Sequence, residues 1–215
     1  MKERLSISLL QEWDLKVCKH PKYGNEQRLI SEYLNRYKYN TDSVIVAGKI
    51  SIIDLTNSTQ LSNYKSRISL SDLAGIIVSI RDFDERVQKG DVSLVSEISK
   101  STAHFLDNEE GKGVNLFSFA SKYCHYHNYC IYGRDDYSIF DSVVSKYLHE
   151  YSLESNPIDK RTPDKWRRDC DYETFNSYIN EILDANGICS NVEGRKRCFD
   201  HYLWFKHREK LTNVK

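Results

Sequence analysis

SVIVAGKISIIDLT, Ser43–Thr56, is the one run rich enough in β-branched residues to form a buried strand, and its reading decides between a mixed and an all-helical fold. A strand needs a partner, and no second segment of comparable pattern exists for it to pair with. A helix is therefore predicted. Outward from it, the apolar residues Leu29, Ile30, Tyr33, Leu34 and Tyr37 recur at three-and-four spacing between Asn25 and Lys38. Leu73, Ile76, Ile77, Ile80 and Val87 do the same between Asp72 and Gln88. Ser138–Tyr151 carries a stripe of Phe140, Val143, Val144, Tyr147, Leu148 and Tyr151. Further helices are predicted at Asp91–Phe105, Leu116–His127, Asp171–Ala185 and Arg195–Arg208. Asn156–Cys170 holds two of the chain's three prolines and a cluster of charge, and reads as a surface connection. The expected fold class is all-α.

With 215 residues, 40% hydrophobic and 12% aromatic, the chain suits one helical unit with a buried core and excludes two large independent domains. Thirty-one basic residues offset 31 acidic ones, so attraction to a polyanion must come from a local patch. No run reaches the roughly 20 apolar residues that cross a bilayer, and the N-terminal apolar stretch is too short for a signal-peptide core. A cytoplasmic monomer without membrane contact is expected. The six cysteines are dispersed, and reduced thiols are expected.

The chemistry concentrates in Gly111–Tyr151. Gly111 and Gly113 are turn residues, and Asn115 is placed to cap a helix opening at Leu116. On that helix Leu116, Ala120, Tyr123 and His127 share one side. Lys122 lies about 120° away, at roughly 100° per residue, with Ser118 and Tyr126 as neighbours. A lysine at the border of a buried face is partly shielded from water, and its free amine is a nucleophile for carbon. Asp141 follows in the first turn of the next helix, where free backbone N–H groups and the helix dipole favour a carboxylate.

SFASKYCHYHN at 118–128, followed by YSIFDSVV at 137–144, resembles the motif region of the helix-hairpin-helix DNA glycosylase superfamily, nearest its 8-oxoguanine-glycosylase-like bacterial branch. The resemblance spans roughly residues 43–206, with its specific part at 111–148. It departs where the superfamily has a Pro-Gly-Val-Gly hairpin and this chain reads Gly-Lys-Gly-Val-Asn. It implies two helical sub-domains with a cleft between them: a helical part at 43–110, hairpin-like and catalytic helices at 111–155, and C-terminal helices at 171–215 packing with the N-terminal region. It also implies a DNA glycosylase with abasic-site lyase activity. Lys122 would be the Schiff-base nucleophile that attacks C1′, and Asp141 the carboxylate that stabilises positive charge on the sugar. The implied partner is double-stranded DNA containing a damaged or modified base, and no metal or other cofactor is called for.

Gly111, Lys112, Gly113, Asn115 and Ser118 are then the expected DNA-backbone contacts, joined by the cationic run Arg195, Lys196 and Arg197. Trp204, Phe205 and Tyr126 are the expected base pocket. Two rival readings remain. Cys124 and His127, with Cys198 and His201, have spacing that would suit zinc, and the scaffold would equally serve as a non-catalytic DNA- or protein-binding module.

Overall fold

The computed structural model describes residues 5–57, 59, 61–64, 66–106 and 115–212. In chain order the helices are α1 (Ile7–Lys19), α2 (Tyr23–Arg36), α3 (Ser43–Asn57), α4 (Leu70–Ser79), α5 (Phe83–Lys89), α6 (Ser93–Leu106), α7 (Phe117–Tyr132), α8 (Ser142–Tyr147), α9 (Thr162–Arg168), α10 (Tyr172–Ala185) and α11 (Arg195–Thr212). No strand occurs among the described residues, and the fold is all-α. No helix among them is long and apolar enough to cross a membrane. All six cysteines are unbridged.

Ser43–Thr56 is helical, as α3. Asp42 starts it by accepting hydrogen bonds from the N–H groups of Val44 (2.8 Å) and Ile45 (3.1 Å). Val46, Ile50 and Ile53 are fully buried, and this packing outweighs the weak helix propensity of β-branched residues. The helix read over Asp72–Gln88 is instead two. Ile80 leaves α4 in an extended conformation, and Asp82 at φ 54° turns the chain into α5. Aspartate is one of the few residues that adopt this left-handed conformation readily. The connection Asn156–Cys170 also contains a helix, α9, with Pro163 in its first turn and Trp166 buried 5.5 Å from the Tyr178 ring of α10. α1 packs along α11 through buried Leu10 and Val17.

At the centre lies α7, in contact with α2, α3, α5 and α6. Residues 119 to 128 are buried without a break, so this helix is enclosed on all sides rather than along one face. It stops at Gly133, whose φ of 64° lets its N–H reach the Tyr129 carbonyl (3.0 Å) while the Arg134 N–H reaches Asn128 (3.2 Å). The next helix begins four residues later than the apolar stripe suggests. The Ser138 N–H donates to Asn176 Oδ1 (3.0 Å) and the Phe140 N–H to Ser121 Oγ (3.0 Å), so 138–141 is an extended strap held by side chains of α10 and α7. Asp141 caps α8 from outside its first turn.

A polar node is buried under the α3–α7 contact. Lys49, with no exposed surface, donates to the carbonyls of Lys38 and Tyr39 (both 3.1 Å) and to Asn40 Oδ1 (3.2 Å). Asn40 also accepts from the Tyr123 hydroxyl (2.6 Å) and donates to Asp84 (2.6 Å). Burial pushes the Lys49 ammonium down to about 8, against the pull of Asp84. Lys49→Met leaves three acceptors unmet and is expected to destabilise the protein by about 3 kcal/mol in urea unfolding at pH 7. The deficit should widen as pH rises from about 8 to 10.5, the unperturbed lysine value, because only the native wild type sheds this proton in that window. A constant deficit across the window contradicts the assignment.

Candidate active site

The pairing of Ser121 with Phe140 sets the site. Because residue 121 of α7 is bonded to residue 140 of the strap, the next side chains on each, Lys122 and Asp141, are delivered to one place. Both line a cavity of about 520 Å³ whose walls come from α1, α2, α3, α7, α8, α9 and α11. Lys122 is 6% exposed, deeper than the border position its spacing suggested, because α7 is buried on every side. Asp141 is fixed: its Oδ1 accepts from the N–H groups of Val143 and Val144 (both 2.9 Å). Ser118 and Tyr126, one helical turn to either side of Lys122, line the same wall.

Asn115 also lines the cavity, and its side chain is occupied. It accepts from the Phe117 N–H (3.2 Å) at the start of α7 and donates to the Arg167 carbonyl (2.6 Å), tying α9 to α7. Trp204 and Phe205 line the opposite wall with Tyr23. Their rings meet edge to face: Trp204 is 4.8 Å from Tyr23 and 4.7 Å from Phe205, and the Arg208 guanidinium lies 4.3 Å over Trp204. Gly111, Lys112 and Gly113 lie outside the described residues.

Arg195, Lys196 and Arg197 do not form the expected DNA-facing surface. Arg195 is 7% and Lys196 6% exposed. Arg195 pairs with Asp184 and donates to the Ile188 carbonyl (2.7 Å). Lys196 donates to the Asp136 carbonyl (2.6 Å) and Asn176 (3.2 Å), and burial pushes its ammonium down to about 8 despite Asp135 and Asp136. Arg197 is held by the Tyr129 hydroxyl (2.7 Å) and Asp14 (3.4 Å). These cations are spent on partners within the chain at the buried start of α11, where desolvation makes such partners obligatory, and Asp135 accepts from the Lys196 N–H (2.6 Å) and the Arg197 N–H (3.3 Å). The cations at the cavity are instead Lys22, Arg167 and Arg208, and Lys165 and Arg168 are exposed on α9.

The two Cys–His pairs are spent separately. Cys124 is core, with burial pushing its thiol up, and His127 Nδ1 pairs with the Tyr123 carbonyl (2.8 Å). His201 sits between Asp14 (2.7 Å) and Gln27 (2.7 Å). Among the described residues no group of three or more His, Cys, Asp or Glu side chains is placed to hold a metal.

Sequence reasoning missed Asp200. It lines the cavity, and burial followed by the negative charge of Asp141 pushes its carboxyl well above the usual carboxylate range, opposed by Lys122. The signal was present as helical spacing: Asp200, Trp204 and Arg208 stand four apart along α11 and all reach this wall.

A protein of Haemophilus influenzae (strain ATCC 51907 / DSM 11121 / KW20 / Rd), described as an uncharacterized protein, is 26% identical over 181 residues, spanning 84% of this chain and 76% of the relative. No solved structure matches this chain. The HI_0787_N family, described as an N-terminal domain, matches residues 7–136, a segment that takes in Lys122 and stops before Asp141 and Asp200. That match covers more than half of the sequence, and the chain belongs to the HI_0787_N family.

Proposed function

We propose that the protein is a DNA glycosylase with abasic-site lyase activity, acting on a damaged or modified base extruded from double-stranded DNA. One observation carries the reading. The only amine buried in the wall of a cavity roomy enough for a nucleoside, among the described residues, belongs to Lys122, and a fixed carboxylate, Asp141, lines the same space. In this reading the Lys122 amine attacks C1′ and the base departs with the electron pair of the glycosidic bond. The Asp141 charge stabilises the sugar cation as it develops, and the covalent Lys122–sugar intermediate then permits strand cleavage by β-elimination. The aromatic wall of Tyr23, Trp204 and Phe205 supplies faces and edges for a flipped base.

Lys22, Arg167 and Arg208 at the cavity, with exposed Lys165 and Arg168, take the phosphates. Duplex affinity should therefore fall with salt, with a slope of about −0.9 per phosphate contacted, and Arg168→Ala should reduce that slope by about one unit. A flat salt response removes this surface from the reading.

The decisive assay is borohydride trapping of the full chain on duplexes containing an abasic site, run beside base release from 8-oxoguanine, uracil and 5-hydroxymethylcytosine duplexes. A covalent protein–DNA adduct is the expected result. Duplex binding without any adduct overturns the enzyme and leaves a binding module.

A further inference from the structure

Two carboxylates face one amine in the cavity, and their surroundings differ. Asp141 receives two backbone hydrogen bonds at 2.9 Å, which suit an anion. Asp200 enters from α11, and no described residue donates a hydrogen bond to its carboxyl. Two like charges in one cavity cannot both be held cheaply, and environments that treat paired carboxyls so differently divide them into an anion and an acid. The charged groups acting on Asp200 are Asp141 and Lys122 across the cavity, Asp135 before the strap, and Arg197 on its own helix. Elsewhere on the cavity wall stand Lys22 and Glu26 of α2, Asp164 and Arg167 of α9, and His201 and Arg208 of α11.

We propose that Asp200 is the catalytic acid of this cavity, giving its proton to the departing base. The assignment rests on the glycosylase reading and deepens it. As the C1′–N bond breaks, its electron pair goes to the base, and the Asp200 O–H delivers a proton there, so a neutral base leaves and Asp200 becomes a carboxylate. Meanwhile the Lys122 amine forms its bond to C1′ and becomes a secondary ammonium. That ammonium returns one proton to Asp200, which restores the acid and leaves the secondary amine ready for ring opening to the Schiff base. Burial and the Asp141 charge favour the protonated starting state.

The test separates the two claims, because a preformed abasic site has no base left to protonate. Asp200→Asn preserves shape and removes the acid. Single-turnover base release from the duplex that the wild type processes in the three-base panel should fall about 100-fold or more, and the decline of the wild-type rate at alkaline pH should disappear. Borohydride trapping on abasic duplex should stay within about threefold of wild type, which also reports a folded protein. Asp200→Glu, which restores an ionisable acid, should recover part of the rate and the alkaline decline. Base release by Asp200→Asn at the wild-type rate and with the wild-type pH profile overturns the proposal. So does equal loss of release and trapping in both variants, which would place Asp200 behind Lys122 or the fold. Wild-type protein that traps abasic DNA yet releases no base from any of the three duplexes overturns the acid and spares Lys122. Wild-type protein that does not trap at all removes the underlying reading.

Discussion

Lys122→Gln is expected to abolish the borohydride adduct on abasic duplex and to lower base release by about four orders of magnitude or more. The size of the effect follows from the chemistry, because an amide nitrogen has no basic lone pair to bond to C1′ and no route to an imine. The fold is expected to survive. Glutamine is nearly as good a helix former as lysine, and the substituted side chain borders a cavity rather than filling a close-packed core. The melting temperature of Lys122→Gln should therefore stay within a few degrees of wild type. This combination of an intact domain and a missing adduct is the signature of a lost nucleophile. Retention of the adduct in Lys122→Gln would assign the amine to another residue and remove the central claim. Lys49→Met serves as the contrasting control. It removes another buried lysine amine, one that is committed to the Lys38, Tyr39 and Asn40 acceptors and does not line this cavity, and should cost stability without removing the adduct at temperatures where the variant is folded.

The all-α class was legible because helical periodicity reports burial of a face, and α2, α6 and α10 each present one, while α3 was legible only because its strand-like composition had no partner strand. Periodicity placed α7 as a helix with one buried side, but not its burial on every side. A helix enclosed on all sides has no polar face to set the phase, and its polar residues are buried with internal partners: Asn128 with Val87 and Asp136, His125 with Tyr137. The strap at 138–141 was misread for a related reason. Its apolar residues fit a helical stripe, but its backbone donors are taken by Ser121 and Asn176, and no local pattern reveals partners 19 and 38 residues away. The same long-range pairing explains why Arg195, Lys196 and Arg197 read as a docking surface. A run of cations looks alike in sequence whether it faces phosphates or the buried carbonyls and carboxylates of its own chain. Asp200 was overlooked because a lone aspartate before a histidine carries no motif: its spacing with Trp204 and Arg208 marks a shared face of α11, but only the packing of α11 on α1 and α8 turns that face to the cavity that Lys122 lines.

Asp141 allows its two roles, helix cap and charge, to be separated. In Asp141→Asn the side-chain oxygen still accepts from Val143 and Val144, asparagine being as good a cap as aspartate, so α8 should keep its start and the stability should change by only a few tenths of a kcal/mol. Asp141→Ala loses the cap as well, at a cost of about 1 kcal/mol. If the carboxylate acts on the developing sugar cation, both variants lose the same interaction, and base release should fall about 10³-fold in each, far beyond their difference in stability. If Asp141 matters only as a cap, Asp141→Asn should work at nearly the wild-type rate and only Asp141→Ala should fail. The pair also reads the coupling across the cavity. The Asp141 charge is one of the causes that hold the Asp200 carboxyl high, so its removal lets Asp200 ionise at lower pH. The residual activity of Asp141→Asn should accordingly decline at a lower pH than that of wild type. An unchanged alkaline limb in that variant would show that the two carboxyls do not act on the same reaction, since a shared cavity requires the loss of one charge to be felt by the other.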